Sequence, residues 1–475
     1  MSRLLQWLPA PGHPRGHRRR AAPGIGPLAD ISSAHNLAGP RATRPPRAKP
    51  RAAGHMLILQ GPPGPFSRVL GRAFEARGCK VTRVNLCLGD WLTWPGRGAL
   101  NYRGPKRDWA GWLTALIARE GITDILYFAD RTPYHKIAAE VARAMGVRAI
   151  SYEFGYLRPD WILVERGGQS SHSHFPDDLD AIRAAATGLP EADLPLEYPY
   201  PFAAEAFHEV VYNLVSHFLW FAFPRYEADR YYTPLFDYLA YLPKFVRARR
   251  AGAAARAEIG RLSRGGTRYF VLPLQKQDDY QIRDNAPYAG LHPVIREVVA
   301  SFARHAPGDT ELVVKRHPLD NGIESFRRTL IRAARAAGVA ERVRYVDGGD
   351  LGALLRRAAG VVTVNSTVGL HALQANVPVT CLGVAVYDIA GLTHQGPLGT
   401  FWTDPVPPDP GGVAALVRLM ASAIHVKGCF HTAKGRAAGA AAMADMILAG
   451  AVNRGAFVDP PPRLGRARAM GIAVD

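Results

Sequence analysis

From residue 56 onward the chain alternates two hydrophobic patterns. Short, mostly apolar runs stand at MLILQ (56–60), KVTRVNL (80–86), DILYFAD (124–130) and VRAISYE (147–153). Between them, segments 66–77, 109–119 and 134–145 carry apolar residues three and four positions apart. The first pattern suits buried strands and the second amphipathic helices. Their alternation predicts βαβ units and a parallel sheet. The same grammar returns later, with strand-like runs at 269–274, 311–315, 342–346, 360–364 and 378–383. Helical segments at 292–305, 323–337, 351–358 and 367–374 separate most of them. No sequence repeat links the halves, yet the pattern predicts an α/β chain with two Rossmann-like halves in tandem.

Residues 198–245, between the halves, hold 16 aromatics: eight Tyr, seven Phe and Trp220. A basic helical stretch, 244–264, follows. The plainer expectation is a helical subdomain whose aromatics pack a core. The functional one is a surface meeting anionic lipid, since aromatics beside Lys and Arg suit a headgroup interface. Stacking on single-stranded nucleic acid is a third option. It lacks any RRM, KH or helix-turn-helix pattern, so no nucleic-acid partner is expected.

Composition adjusts this picture. The chain has 475 residues, a formal charge of +19 and 48% hydrophobic residues, which excludes a disordered or fibrous protein. Residues 1–55 carry ten Lys and Arg against a single acid, Asp30. That stretch is expected to be a disordered basic tail, with Met56 as the start of the working protein. No apolar region follows Arg18-Arg19-Arg20, so a secretory signal is not expected. The four cysteines (Cys79, Cys87, Cys381, Cys429) are scattered, which predicts neither a disulfide framework nor a structural zinc site and fits a reducing cytosol. The most apolar stretch, 210–223, is interrupted by Asn213, Ser216 and His217, so it is not expected to span a membrane.

Ligands of open α/β sheets bind beyond the carboxyl ends of the strands. Polar residues at those ends are Gln60 and Gly61, Asp130-Arg131, Glu153, Gln275 to Asp279, Lys315-Arg316-His317-Pro318 and Asn365-Ser366-Thr367, and all are expected to face one cleft. Ser366 or Asn365 suits an ordinary N-cap. The same strand–NST–helix junction also offers N–H groups and a dipole end to a phosphate. Lys315, Arg316 and His317 are three potential cations that could neutralise a departing nucleotide phosphate, although a solvated basic turn is the plain alternative. Neither a Walker A nor a GxGxxG fingerprint occurs. The expected donor therefore carries one phosphate, held without metal, and no cofactor is expected. Glu153 is the first candidate for base or nucleophile, with Asp130, Asp160 and Asp278 as further acids. His135 and His371 are expected to be packing residues on helices.

Five stretches carry a resemblance: EFGYLRPDWILVE (153–165), LPLQKQDDYQIRDNAPY (272–288), VVKRHPLDNG (313–322), VVTVNSTVGLHAL (361–373) and LGVAVYDIAGLTHQGPLGTFW (382–402). Over residues 56–430 the chain resembles the KpsS type of capsule polysaccharide export protein and, more distantly, its KpsC-type partners, both bacterial β-Kdo glycosyltransferases. The resemblance implies a GT-B-like fold: an acceptor-side Rossmann-like domain at 56–197, a helical aromatic and basic segment at 198–264, a CMP-sugar-binding domain at 265–430, and a C-terminal helix and tail at 431–475. It implies retaining transfer of Kdo from CMP-β-Kdo to a (lyso)phosphatidylglycerol acceptor on the cytoplasmic face of the inner membrane. The implied associates are a KpsC-type transferase and an ABC exporter. Related CMP-sugar transferases show an acidic pair followed by Gly, then HP, then a Ser/Thr pair. Glu153 and Gly155, His317 and Pro318, and Ser366 and Thr367 match these. Phe154 departs from the pattern, standing where the second acid belongs, so the chemistry would rest on Glu153 or recruit Asp130 or Asp160. A transferase using another CMP-sugar such as CMP-sialic acid, and a non-catalytic component handing capsule lipid to an exporter, are the alternatives.

Overall fold

The computed structural model describes residues 54–474 apart from 97 and 200. The expected tail lies outside them up to residue 53. The first strand begins at His55, one residue before Met56. The buried His55 ring bonds to the Glu120 carbonyl and the Thr82 hydroxyl, each at 2.8 Å.

Two sheets organise the chain. The first contains β1 (His55–Ile58), β2 (Lys80–Asn85), β3 (Ala99–Asn101), β4 (Asp124–Phe128), β5 (Arg148–Phe154) and β6 (Trp161–Arg166). The second contains β7 (Tyr269–Pro273), β8 (Glu311–Lys315), β9 (Val343–Val346), β10 (Gly360–Thr363) and β11 (Val379–Cys381). A final strand, β12 (His425–Lys427), returns to the first sheet. The parallel strands run β3-β2-β1-β4-β5 in one sheet and β9-β8-β7-β10-β11 in the other. Both follow the order of a Rossmann unit, whose binding crevice lies where the strand order reverses. The result is the expected GT-B-like architecture.

Alternation along the strands explains the second core. Phe270 and Leu272 face the helix Leu291–His305, which buries Val294, Ile295, Val298, Val299 and Phe302 on that side. Tyr269 and Val271 face the other way, where the Tyr269 hydroxyl donates to the Leu354 carbonyl at 2.7 Å and the cluster also holds Leu355 and Ile259. Period-two strands between period-3.6 helices bury both sheet faces, each large side chain contributing about 1.5–3 kcal/mol.

The carboxyl-terminal part differs from the expected boundary at 430. Strand β12 pairs antiparallel with β6, His425 opposite Leu163. The helix Ala433–Leu448 then packs Ala440, Met443, Ala444 and Ile447 into the same core as Met56, Phe66 and Leu70. Residues 425–448 therefore complete the first unit. Their apolar side chains match its surface, a long-range complementarity that no local pattern reveals.

The intervening segment forms helices Phe202–Phe218, Pro234–Ala240 and Leu242–Arg264. Its aromatics do not make the core that the plainer expectation held. Phe223 is buried, but Phe207, Phe218, Trp220, Phe221 and Phe236 are each more than half exposed. Tyrosine hydroxyls anchor the segment instead. Tyr212 accepts from Gln60 at 2.6 Å and donates to Asp90, which pairs with Arg83 at 2.9 Å in full burial.

Candidate functional site

One cleft gathers residues from the strand ends of both units. Glu153, Gln275, His317, Asn365, Ser366 and Thr367 all line it, joined by Arg158 and Asp279. The hairpin between β5 and β6 positions the first of these. Its turn requires Gly155, because a Cβ there would lie 2.6 Å from the Trp161 carbonyl oxygen. Glu153 and Phe154 project to opposite faces of β5. Phe154 packs against Phe128 and Phe430 at ring distances of 6.0 and 5.0 Å, so a second acid at that position would enter an aromatic cluster.

The second unit supplies a polar lattice. Asn365 donates to the carbonyls of Gln281 and Asn285 at 2.7 and 3.1 Å and accepts from Gln275 at 3.0 Å. Ser366 caps the helix Thr367–Gln374, its hydroxyl accepting the Val368 N–H at 3.3 Å. The Tyr387 hydroxyl donates to the Ser366 carbonyl and holds that junction in place. Thr367, the first helical residue, thus brings a helix N-terminus and its partial positive charge to the cleft.

Of the three cations expected at the end of β8, only His317 reaches the cleft lining. Lys315 donates to the Gly348 carbonyl at 2.9 Å, and burial lowers it to about 8. Arg316 is engaged by Asp320 at 2.6 Å and Asp347 at 2.8 Å. Pro318 is exposed, and its carbonyl accepts from Lys244. His317 Nδ1 accepts the Leu319 N–H at 3.0 Å. Burial, then the charges of Lys276, Arg158, Lys244 and Lys315, push its imidazole down to about 3.

The acids divide similarly. Burial raises Glu153 to about 8, helped by the nearby charges of Asp279 and Asp130 and opposed by Arg158. Asp279 is raised by burial and caps its own short helix through the Gln281 N–H at 2.9 Å. Asp278, the neighbour singled out from sequence, pairs with Lys276 at 3.2 Å instead. Asp130 is buried behind the cleft, where it accepts the Gln169 N–H at 2.9 Å and is raised to about 6. Asp160 lies elsewhere altogether. It is fully buried, accepts the Glu197 and Tyr198 N–H groups at 2.7 and 3.1 Å, and faces Lys427 at 3.3 Å. His135 and His371 are on helices, as expected.

Asp279, the last of the expected run Gln275 to Asp279, lines the cleft, whereas Arg158 is the residue that sequence reasoning passed over. Arg158 lies 5.4 Å over the Phe154 ring, and its charge acts on both Glu153 and His317. Its place in the same short block as Glu153 was the available signal. Among the described residues, no group of three His, Cys, Asp or Glu side chains is arranged to hold a metal ion. None of the described helices is long and apolar enough to cross a membrane.

Comparison with known proteins adds the family. The capsule polysaccharide biosynthesis protein family matches residues 123–431. The capsule polysaccharide export protein KpsS of Escherichia coli is 35% identical over 356 residues, covering 74% of this chain and 90% of that protein. The capsule polysaccharide modification protein LipB of Neisseria meningitidis serogroup A is 31% identical over 386 residues, covering 75% and 87%. Among solved structures, the KpsC beta Kdo 2,7 transferase of Thermosulfurimonas dismutans aligns with a TM-score of 0.41 at 16% identity, covering 78% of this chain and 92% of that one. The matched span encloses every residue of the cleft, and the chain belongs to the capsule polysaccharide biosynthesis protein family.

Proposed function

We propose that this chain is a glycosyltransferase that moves Kdo from CMP-β-Kdo to a (lyso)phosphatidylglycerol acceptor, with retention, to begin the β-Kdo linker of a capsule glycolipid. The observation that carries the reading is the state of His317. With Nδ1 occupied by a backbone N–H and the ring held neutral, its proton sits on Nε2, in a cleft that also holds a helix N-terminus. Departure of CMP builds negative charge on one phosphate, and preorganised donors at that point lower the barrier. Nε2–H, the Ser366–Thr367 helix start and the Arg158 charge are suited to that task without a metal. Positive charge builds on the sugar at the same time. Glu153 and Asp279 share the cleft, where burial and then the Asp279 charge raise Glu153 to about 8 and so keep its carboxyl mostly protonated near neutrality. The ionised member serves as nucleophile or as counter-charge. The names KpsS and LipB, both of capsule proteins, support the setting.

The acceptor reading rests on the segment 198–264. Phe207, Trp220, Phe221, Leu239 and Val246 are exposed, with Arg247, Arg249 and Arg250 alongside on the helix Leu242–Arg264. Exposed apolar side chains and arginines gathered in one segment suit the headgroup region of an anionic bilayer. Lys244, expected in that patch, bonds to the Pro318 and Asp320 carbonyls instead. Association with a KpsC-type transferase and an ABC exporter at the inner membrane follows from the same reading.

Purified protein, CMP-β-Kdo generated in situ and fluorescent lysophosphatidylglycerol test the proposal, with mass analysis of the product and EDTA in a parallel reaction. A lipid gaining one or more Kdo residues in both supports it. No addition while the lipid still binds rejects the enzyme, and turnover only with another CMP-sugar rejects the donor.

A further inference from the structure

On the far side of the Phe154 ring from Glu153 lies a second group of polar side chains. His431 packs on Phe154 with ring centroids 6.1 Å apart and planes inclined by 30°. It is 6% exposed, and neither of its ring nitrogens has a hydrogen-bond partner among the described residues. Glu205 Oε1 lies 3.8 Å from its Nε2, and Glu205 Oε2 is also buried without a partner among the described residues. The His208 ring lies 6.1 Å from that of His431, with Nδ1 unpartnered. His208 rests on the loop after β1, where Gly64 has φ +121° and a Cβ would approach Nδ1 to 3.2 Å. Each such buried atom costs about 1–3 kcal/mol if nothing bonds to it. Four of them, on His431 and its neighbours Glu205 and His208, point to a ligand site.

Chemistry selects the ligand. Burial, then the Arg436 charge, holds His208 below its usual value, and burial, then His208 and Arg436, lowers His431 to about 4. Each ring then offers one N–H and one lone pair and no charge. Burial, then Glu209, raises Glu205 to about 7, while Arg158 and Lys276 oppose. Two neutral rings beside a carboxylate suit a hydroxyl better than a phosphate even with the Arg436 guanidinium nearby, because Glu205 can accept a hydroxyl proton and would repel a phosphate. Through Phe154 and Arg158 the group adjoins the cleft that holds Glu153.

We propose that Glu205, His208 and His431 bind the hydroxyl of the acceptor and that Glu205 takes its proton during transfer. This rests on the transferase reading above. The hydroxyl oxygen bonds to the anomeric carbon, the bond from that carbon to its leaving oxygen breaks, and that oxygen keeps the electron pair. The hydroxyl proton passes to the Glu205 carboxylate. Phe154 thus stands where a second acid is expected, and Glu205 supplies the base from a different element.

Glu205→Gln in the full chain should lower transfer to lysophosphatidylglycerol about 100-fold or more, as loss of a general base does. CMP affinity should stay within about twofold and the melting temperature should hold. The acidic limb of the pH–rate profile near 7 should disappear in this variant. Glu205→Gln turning over within about threefold of wild type, or losing CMP affinity in parallel, would overturn the role. If wild type itself transfers nothing, the transferase reading falls and the site is judged by binding. Lysophosphatidylglycerol should then bind about tenfold more weakly to His431→Gln and His208→Gln, and unchanged binding would overturn the site.

Discussion

The Leu319 backbone N–H donates to His317 Nδ1 across 3.0 Å. Two residues apart in sequence, they decide a tautomer: Nδ1 is the acceptor, so the ring proton is on Nε2. Burial and the surrounding cations then keep the second proton off down to about pH 3. His317 is a fixed neutral donor rather than a titrating cation.

His317→Ala should therefore lower kcat by about 10²–10³-fold with folding preserved, the scale of losing one oxyanion donor. His317→Gln, which keeps an N–H, should recover part of it. Steady-state kinetics with a thermal melt check this, and near-normal turnover in His317→Ala would remove the phosphate role.

Glu153 and Asp279 should behave as one unit. Glu153→Gln and Asp279→Asn should each reduce transfer about 10²–10⁴-fold, and the double variant should be little worse than the more damaged single one. CMP binding by calorimetry should be retained in all three. Additive losses would separate the two carboxyls.

Membrane attachment should divide between ring and charge. Replacing Phe207, Trp220 and Phe221 with Ser should reduce liposome flotation at every salt concentration. Replacing Arg247, Arg249 and Arg250 with Gln should weaken it only on anionic vesicles, by about 1 kcal/mol per charge, and remove its salt dependence. Lys244→Gln should leave flotation intact, since that amine is held by the 318–320 loop.

Stability should peak at about pH 6.5, and its sign follows from two opposing sets of groups. Burial lowers His135, His172, His317, His371, His425 and His431 to about 3–4. Their folded pKa values lie below the unfolded one, so their contribution is present above the unfolded value and is lost as pH falls. Burial raises Glu153 and Glu165 to about 8, Glu205 to about 7 and Asp130 to about 6. Their contribution is present at low pH and is lost as pH rises through those values. Melting temperatures measured from pH 5 to 7.5 should fall on both sides of the maximum; above that range Lys244 and Lys315, lowered to about 8 by burial, act in the opposite sense to the carboxyls.

Asp90→Ala should cost about 3–5 kcal/mol in urea titrations, because it strands the fully buried Arg83 guanidinium. It also removes the Tyr212 acceptor that ties the aromatic segment to β1 and β2. Arg83 and Asp90 replaced together by apolar residues should lose less.

Local pattern was sufficient wherever a local cause operates. The segment expected at 367–374 is the helix Thr367–Gln374, because Ser366 caps it and its apolar spacing continues to its end. ELVVK is β8 at both ends, since each of its residues is at least half buried. Strands β3, β6 and β12 were not anticipated. The first and last are three residues long, and β6 falls within the block that carried Glu153, where the motif drew attention away from the strand.

The alternation of strands and helices, the two tandem halves and the set of polar residues at strand ends were legible in the sequence, because burial periodicity and capping act over a few residues. Which of those polar residues face the cleft was decided only by tertiary structure. Lys315 is drawn to Gly348, Arg316 to Asp347, and Asp160 to the chain at 197–198, each by a partner far along the chain. Glu153, Asp279, His317 and Thr367 come together because two sheets present their carboxyl ends to the same space. A residue's chemistry is written in its side chain, but its neighbours are set by packing between elements, which buried His317 among cations as a neutral donor and made Asp160 a strut.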